Sequence, residues 1–363
     1  MKPSLCRGRA ERPGPPGEGL ASRCAASVAC ASFRGRASAQ DKRASALTTT
    51  IEMVTALKLQ NFKIGERRSF SFDDRISVVE GDIGAAKTLA LDAFKLLLMA
   101  SRNEDTAAFP SSWIASSTPT RLSVSVATYD FPELTYTVTM QRTGSETQIL
   151  NEQVSAGEKE VLTRMGGYYH AGATSLDRRR ISDTKIAFTD AMRYLPKNDP
   201  IQDVRKELQE MWLVAPDAYR MGSSLSGEIS SLADASFSHL ATFIAIRANT
   251  SEAVKRSMLD YLKQSHSAEI TGFSVTIGAD DKPCLIVHHR NDLDLAGVPF
   301  GSLDNSEKML FLAAFVCAVN DLTAPLSIVW DSPTNWLGTR GGAAVVKMLR
   351  RSFARRGQLV MLS

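Results

Sequence analysis

The segment Gly81-Asp82-Ile83-Gly84-Ala85-Ala86-Lys87-Thr88 sets two glycines, a lysine and a hydroxyl residue at the spacing of a phosphate-cradling loop, GxxGxGK[ST]. Glycine lets backbone N–H groups approach phosphate oxygens, a lysine at position 87 reaches the β- and γ-phosphates, and the Thr88 hydroxyl can bind magnesium. Ala86 stands where that loop carries its last glycine. Taken alone, the segment can also be a plain glycine-containing turn from strand to helix. A second marker lies far downstream, where the apolar run Leu326-Ser327-Ile328-Val329-Trp330 ends in Asp331. A carboxylate at the carboxyl end of a buried strand faces a nucleotide at the sheet's edge and can hold the same magnesium ion. The chemistry predicted is therefore binding of ATP with Mg2+, through Gly81, Gly84, Ala85, Ala86, Lys87 and Thr88, with Thr88 and Asp331 on the metal.

Such a loop needs a strand before it and a helix after it, so that the helix N-terminus faces the phosphates. The apolar run 76–79 supplies the strand, and Leu89, Leu91, Ala93, Phe94, Leu97 and Leu98 recur at helical spacing beyond the loop. Alternation at Leu57, Leu59 and Phe62, then at Phe70 and Phe72, predicts earlier strands. Further strands are expected over 122–128 and 134–140, with a turn at Thr143 and Gly144.

Residues 155–266 read as mainly helical, a compact lobe inserted between the two markers. Asp199 and Pro200 form an N-cap and first-turn pair, with Ile201, Val204, Leu208, Met211 and Trp212 on one face. Ile229, Leu232, Ala233, Leu240, Phe243 and Ile244 suggest a second helix, and Val254, Met258, Tyr261 and Leu262 a third. No heptad pattern persists long enough for an extended coiled coil. Strands are expected again over 273–277, 284–288, 326–330 and 358–362, with helices over 307–319 and 343–353.

At 363 residues and 44% hydrophobic, the chain can bury a large core. No apolar run reaches the roughly 18 residues of a membrane-spanning helix, so no membrane association is expected. Cys6, Cys24, Cys30, Cys284 and Cys317 lack the spacing of a zinc site or redox dithiol, which fits a reducing, cytoplasmic setting. His288 and His289 are adjacent on a strand and should point to opposite faces rather than share a metal.

The net charge of +4 suggests nucleic-acid affinity until its distribution is considered. Nine of the 43 Lys/Arg and four of the 39 Asp/Glu lie in residues 1–52, which leaves the rest near neutrality. That Arg-, Ser-, Gly- and Pro-rich leader is expected to be disordered. It reads either as translated sequence upstream of a natural start at Met53 or as an organellar transit leader. Arg178-Arg179-Arg180 offers a DNA-backbone contact or a solvated loop. Arg350, Arg351, Arg355 and Arg356 complement the negative end of the last helix.

With its two nucleotide markers, residues 55–363 resemble an ABC-type P-loop ATPase head of the RecF/SMC/OLD-like (AAA-15-type) group. The opening Leu57-Lys58-Leu59-Gln60-Asn61-Phe62-Lys63 is similar to the first strand of RecF-like and AAA-15-type proteins, and Ile149 and Glu152 also look like that group. The resemblance implies an α/β fold, a mixed sheet with an inserted helical lobe, its head split into 55–154 and 267–363 around 155–266. It implies a signature turn before the magnesium aspartate, where Leu303-Asp304-Asn305-Ser306-Glu307-Lys308 stands with Asp304 for the serine and Ser306 for the glycine. A literal Leu225-Ser226-Gly227-Glu228 lies too far upstream and reads as a helix cap.

It also implies a catalytic glutamate after Asp331, where Ser332 is found, a D-loop at Pro333-Thr334-Asn335-Trp336-Leu337, and a switch histidine after the strand 358–362, where Ser363 stands. An unassisted serine hydroxyl is no general base near neutral pH. The expectation is an ATP-binding head, acting as a head-to-head homodimer if competent, with impaired hydrolysis. DNA or a partner protein is the implied partner, in DNA maintenance or anti-phage defence. The alternative is a non-catalytic nucleotide-binding regulatory module or truncated pseudoenzyme.

Overall fold

The computed structural model describes residues 53–63, 67–72, 75–80, 85–102, 105–115, 117–172, 178–196, 199–222, 240–265, 270–277, 283–290 and 297–363. The leader 1–52, the segment 225–228 and the helical residues expected at 229–233 lie outside them.

The first part of the chain runs β1 (Met53–Gln60), β2 (Arg67–Ser71), β3 (Ile76–Val79), α1 (Ala85–Ser101), β4 (Thr120–Ala127), β5 (Leu134–Thr143) and β6 (Glu146–Ala156). It continues through β7 (Lys159–Met165), β8 (Tyr168–Ala171), β9 (Arg179–Arg180), α2 (Ala187–Ala191), α3 (Pro200–Glu210) and β10 (Trp212–Val214). Next come α4 (Leu240–Thr250), α5 (Glu252–Gln264), β11 (Ile270–Ile277), β12 (Pro283–His289) and β13 (Val298–Pro299). The chain ends with α6 (Asn305–Leu322), β14 (Ser327–Asp331), α7 (Thr339–Phe353) and β15 (Gln358–Leu362).

These strands make an antiparallel sheet in the order β2-β1-β4-β5-β6-β7-β8-β9, a parallel sheet β10-β14-β15-β3, and a small antiparallel sheet β11-β12-β13. Apart from Ser327 and Gln358, which open β14 and β15, the buried positions of the parallel strands are apolar, as expected where both faces are covered. Val329, Val360 and Leu362 pack with α1 and the antiparallel sheet. Ile328, Trp330, Leu359 and Met361 pack on the other side with residues of α4, α5, α6 and α7. The carboxamide of Gln358, almost fully buried, ties the two larger sheets. It accepts from Val54 N at 2.9 Å and donates to Val54 O at 2.5 Å.

The expected helical character of 155–266 fails over its first third. β7, β8 and β9 extend the antiparallel sheet instead. Gly157 and Gly166, at φ +57° and +58°, supply the turns that reverse the chain there. Trp212 likewise opens β10 rather than closing the face of α3, whose C-cap Met211 is already extended. The Asp199 cap of α3 holds, with its carboxylate accepting from Ile201 N at 3.0 Å. Val254, Met258, Tyr261 and Leu262 are the buried face of α5.

A buried polar cluster braces the antiparallel sheet. Glu152 of β6 and Arg164 of β7 are register partners, and both are fully buried with Tyr136. The Glu152 carboxylate accepts from Ala187 N and Phe188 N, both at 2.7 Å, and from the Tyr136 hydroxyl at 3.1 Å. Those two amides open α2, whose N-cap Ile186 offers no side-chain acceptor, so Glu152 satisfies donors the helix leaves unpaired. Arg164 lies 3.7 Å from the carboxylate and donates to the carbonyls of Gly166, Ser182 and Lys185. Burial pushes the Glu152 carboxyl up from its ordinary value, and the amides, Arg164 and Tyr136 only partly offset this.

Among the described residues no helix is long and apolar enough to cross a membrane.

Candidate nucleotide site

The candidate residues Asp331 and those following β3 lie where three parallel strands end together. Asp331 of β14 is level with Leu362 of β15, which is level with Val79 of β3. Two strand spacings of ~4.8 Å separate the outer pair, so Asp331 lies ~10 Å from the last residue of β3 along the sheet. Ser363 N donates to Val79 O at 3.2 Å and extends this edge by one residue. Beyond β3 the chain passes Glu80 and the loop 81–84, outside the described residues, and enters α1 at Ala85. Gly81 and Gly84 are thus placed only by what flanks them. Ala86, Lys87 and Thr88 belong to the first turn of α1, Ala86 and Lys87 half-buried and Thr88 exposed.

An α-helix leaves its first four N–H groups without intrahelical partners and presents a positive dipole end there. For α1 these are the amides of 85–88. The helix is fixed firmly, since most of Leu89–Ala100 is buried and it packs on α2, α3, β10 and β14. The end of β3 and the anchored start of α1, on a sheet edge that also carries a strand-end carboxylate, suit a triphosphate with its metal. Among the described residues, no cluster of three His, Cys, Asp or Glu side chains offers a metal site formed by protein alone. Two ligands with substrate phosphates and water are the usual arrangement for magnesium.

The turn after β14 orients the aspartate. Ser332 has φ +48°, a conformation that costs a side-chain-bearing residue on the order of 1 kcal/mol. It is held by its N–H to Leu362 O at 2.8 Å and by Asn335 N donating to its carbonyl at 2.9 Å. Its hydroxyl donates to Asp331 Oδ1 at 3.0 Å. Ser332 therefore acts on the aspartate as a hydrogen-bond donor. Trp336, at φ +70°, stands exposed against Tyr219 in a T-shaped contact with centroids 4.9 Å apart.

At the signature position, Asp304 is the N-cap of α6 in a reciprocal capping box. Its Oδ1 accepts from Glu307 N at 2.8 Å and from the Ser306 hydroxyl at 2.6 Å, while Glu307 Oε2 accepts from Asp304 N at 3.2 Å. Partial burial tends to raise the Asp304 carboxyl. The bonds from Ser306 and from the Glu307 and Ser306 amides outweigh that and hold it below the ordinary value. This role was missed in the sequence, although Asp-x-x-Glu before an apolar run is the signal for it.

His289 and His288 engage separate partners, Glu307 Oε1 at 3.1 Å and the Ser274 hydroxyl at 2.8 Å. Arg178 lies over the Tyr168 ring at 4.2 Å and Arg179 over Tyr194 at 3.5 Å, so these cations of the arginine run rest on tyrosines at the sheet's edge. Of the four C-terminal arginines, Arg350 and Arg351 occupy the last turn of α7. Arg356 instead donates to the carbonyls of Asp321 and Thr323 at the end of α6.

No protein-family model matches the sequence, and no curated protein does. Solved structures do match in fold. An SmcHead bound to the C-winged helix domain of ScpA is 12% identical, over 86% of this chain and 89% of its own, with a TM-score of 0.50. The SMC head domain from Thermotoga maritima is 13% identical over 85% and 89%, with a TM-score of 0.45. An Smc head domain with an extended coiled coil, bound to the C-terminal domain of ScpA derived from Pyrococcus furiosus, is 11% identical over 86% and 90%, with a TM-score of 0.48.

Proposed function

We propose, from the premise that this chain is folded as an ABC-type ATPase head of the SMC kind, that it binds ATP with magnesium and turns it over poorly. The observation that carries the reading is the level alignment of Asp331 and Val79 across β15, with α1 starting just past the loop. In this reading Gly81, Gly84, Ala85 and Ala86 offer backbone N–H groups to the phosphates, Lys87 pairs with the β- and γ-phosphates, and Thr88 and Asp331 hold the metal. When bound, magnesium neutralises phosphate charge and orients the terminal phosphate. Ser332 keeps Asp331 oriented and cannot accept a proton from water.

Asp304 and Ser306 bear on closure. In a head-to-head homodimer each signature turn approaches the nucleotide of the other head, and a carboxylate there opposes the γ-phosphate. At an effective dielectric near 20 and about 4 Å, one such unit pair costs roughly 4 kcal/mol before screening. Weak closure and the missing base both lower turnover. The setting we propose is cytoplasmic, in DNA maintenance or anti-phage defence, with DNA or a partner protein engaged by the head.

The test is binding of labelled ATP measured in parallel with phosphate release, with Lys87→Ala as the blank. Binding above the blank with release near it is expected. Release at ordinary ATPase rates overturns the impairment, and no binding above the blank overturns the nucleotide site. Full-strength binding with no release under any condition favours the regulatory-module alternative.

A further inference from the structure

We propose that the outward corner of the antiparallel sheet at β7, β8 and β9 docks an extended acidic segment of a partner protein, one that carries a bulky apolar residue beside its carboxylates. The proposal rests on the reading above for the existence of such a partner. It rests on no residue of the loop, the signature turn or the magnesium aspartate.

One register row crosses the corner, with Asn151 on β6, Met165 on β7, Tyr168 on β8 and Arg180 on β9. Glu152, Arg164 and Tyr169, the chain neighbours of the first three, are buried in the core, so the row itself faces outward. Met165 is 73% exposed and Tyr168 41%. Leu150, 37% exposed, is the unopposed residue of a bulge in β6, and its carbonyl accepts from Gly166 N at 3.2 Å, which sets it beside the turn from β7 to β8. Single exposed apolar residues need no explanation, whereas a group of them rimmed by polar side chains such as Asn151, Thr163 and Ser182 marks an interaction site.

Cations border that patch with their charge unspent. The Arg178 guanidinium lies over the Tyr168 ring, 4.2 Å from its centroid. A guanidinium held on a ring face keeps its in-plane N–H donors for a carboxylate. Arg178 and Arg180 are both exposed, and neither makes an ion pair among the described residues. Beside Arg180 an open hollow of about 650 Å³ is lined by Gly167, Tyr168, Arg180, Ile181, Ser182 and Asp183. Asp183, the one acid of that lining, lies 3.8 Å from the buried Arg164 guanidinium. The corner is therefore positive next to its apolar patch.

This chemistry selects the occupant. A nucleic-acid backbone would use the arginines and leave Met165 and Leu150 without a purpose. A second copy docked by the same face across a two-fold axis would set arginines against arginines. A peptide with carboxylates and an aliphatic or aromatic side chain uses both. From β7 to β9 is two strand spacings, ~10 Å, the reach of about three extended residues, so anchor and carboxylate stand about that far apart in the docked segment.

The experiment is anisotropy of a labelled short peptide of glutamates with a central leucine, titrated with the full chain. An all-glutamate peptide, a version with lysine for glutamate and a short DNA duplex are the comparison ligands. Wild type should prefer the leucine peptide over the all-glutamate one by about tenfold, the effect of burying one such side chain. Met165→Ser should remove most of that preference. Arg178→Glu/Arg180→Glu should weaken binding of the leucine peptide by about tenfold or more and bind the lysine version, which wild type rejects. The basic leader cannot produce such a reversal, because every variant keeps it. Thermal midpoints should match wild type, since the three altered side chains are exposed. Lys87→Ala without ATP should bind the peptide like wild type, so failure of the nucleotide site and failure of this corner are told apart. Equal binding of the leucine peptide by wild type and the charge-reversed variant overturns the proposal, as does equal binding of the all-glutamate peptide by wild type. A duplex that binds wild type more tightly than the peptide and is lost in the charge-reversed variant also overturns it, and assigns the corner to nucleic acid.

Discussion

Replacing Glu152 with Leu removes the acceptor for three donors at once, Ala187 N, Phe188 N and the Tyr136 hydroxyl, and leaves Arg164 buried without its carboxylate. Each buried donor left unpaired costs about 1–3 kcal/mol, and a broken buried pair about 3–5 kcal/mol in total. We expect a loss of about 4 kcal/mol, a large share of the 5–15 kcal/mol typical of a folded chain. Arg164→Met should cost a similar amount, since Gly166, Ser182 and Lys185 lose their donor and the carboxylate loses its cation.

The double variant is the sharper test. The Glu152 carboxyl is raised despite its neighbouring guanidinium, so burial outweighs the charge attraction. Removing both charges therefore removes a desolvation cost as well as a pair. The double variant should be more stable than the sum of the singles implies by about 2 kcal/mol, within the range for contacting residues. Urea denaturation of the four proteins, followed by tryptophan fluorescence, gives the cycle directly. Additive losses, or a Glu152→Leu cost under about 1 kcal/mol, would refute the argument that this cluster acts as one desolvated unit.

Other perturbations give separate outcomes. Asp304→Ala should lose about 1 kcal/mol of capping, while Asp304→Asn, still a good cap, should lose little at neutral pH. Because the folded Asp304 carboxyl sits below its ordinary value, its contribution is full above the unfolded pKa and disappears as pH falls through the folded one. The stability gap between wild type and Asp304→Asn should thus narrow in acid, and a gap that widens in acid contradicts the hydrogen-bond account. Gly357→Ala should destabilise by more than about 2 kcal/mol in a thermal melt. Its φ is +76°, and a Cβ would meet Leu326 O at 2.6 Å and Asn320 Oδ1 at 2.5 Å. Ser332→Glu alone should barely raise steady-state phosphate release, whereas adding Asp304→Ser, Ser306→Gly and Ala86→Gly should raise it partway, because groups that act as a unit are non-additive. A full recovery by the single change would show that closure was never limiting.

Much of the parallel sheet and its helices was legible because its signals are local. β15 has the expected limits, and α3 begins at its Asp199 cap. The strand, loop and helix order around 76–98 follows directly from glycine punctuation and apolar period. What failed was β7, whose sequence Lys-Glu-Val-Leu-Thr-Arg-Met buries Val161, Leu162 and Arg164. A charged residue in a core position and two adjacent apolar ones break the period of two, so the pattern looked helical. The partner that makes Arg164 tolerable is on another strand and could not be found by spacing alone. The Asp304 capping box is local and readable as Asp-x-x-Glu before an apolar run.

The position of β15 between β3 and β14 bears on how the protein is made. During synthesis β3 is made long before the strand that lies between it and β14 in the finished sheet. Between β3 and β15 lie some 280 residues, on the order of tens of seconds at ordinary elongation rates. For that interval β3 has no parallel neighbour, and Val54 lacks the Gln358 carboxamide that ties it down in the finished fold. An unpaired, apolar strand edge is a template for wrong pairing. A nascent chain of this protein therefore cannot complete its parallel sheet until residues 358–362 have emerged.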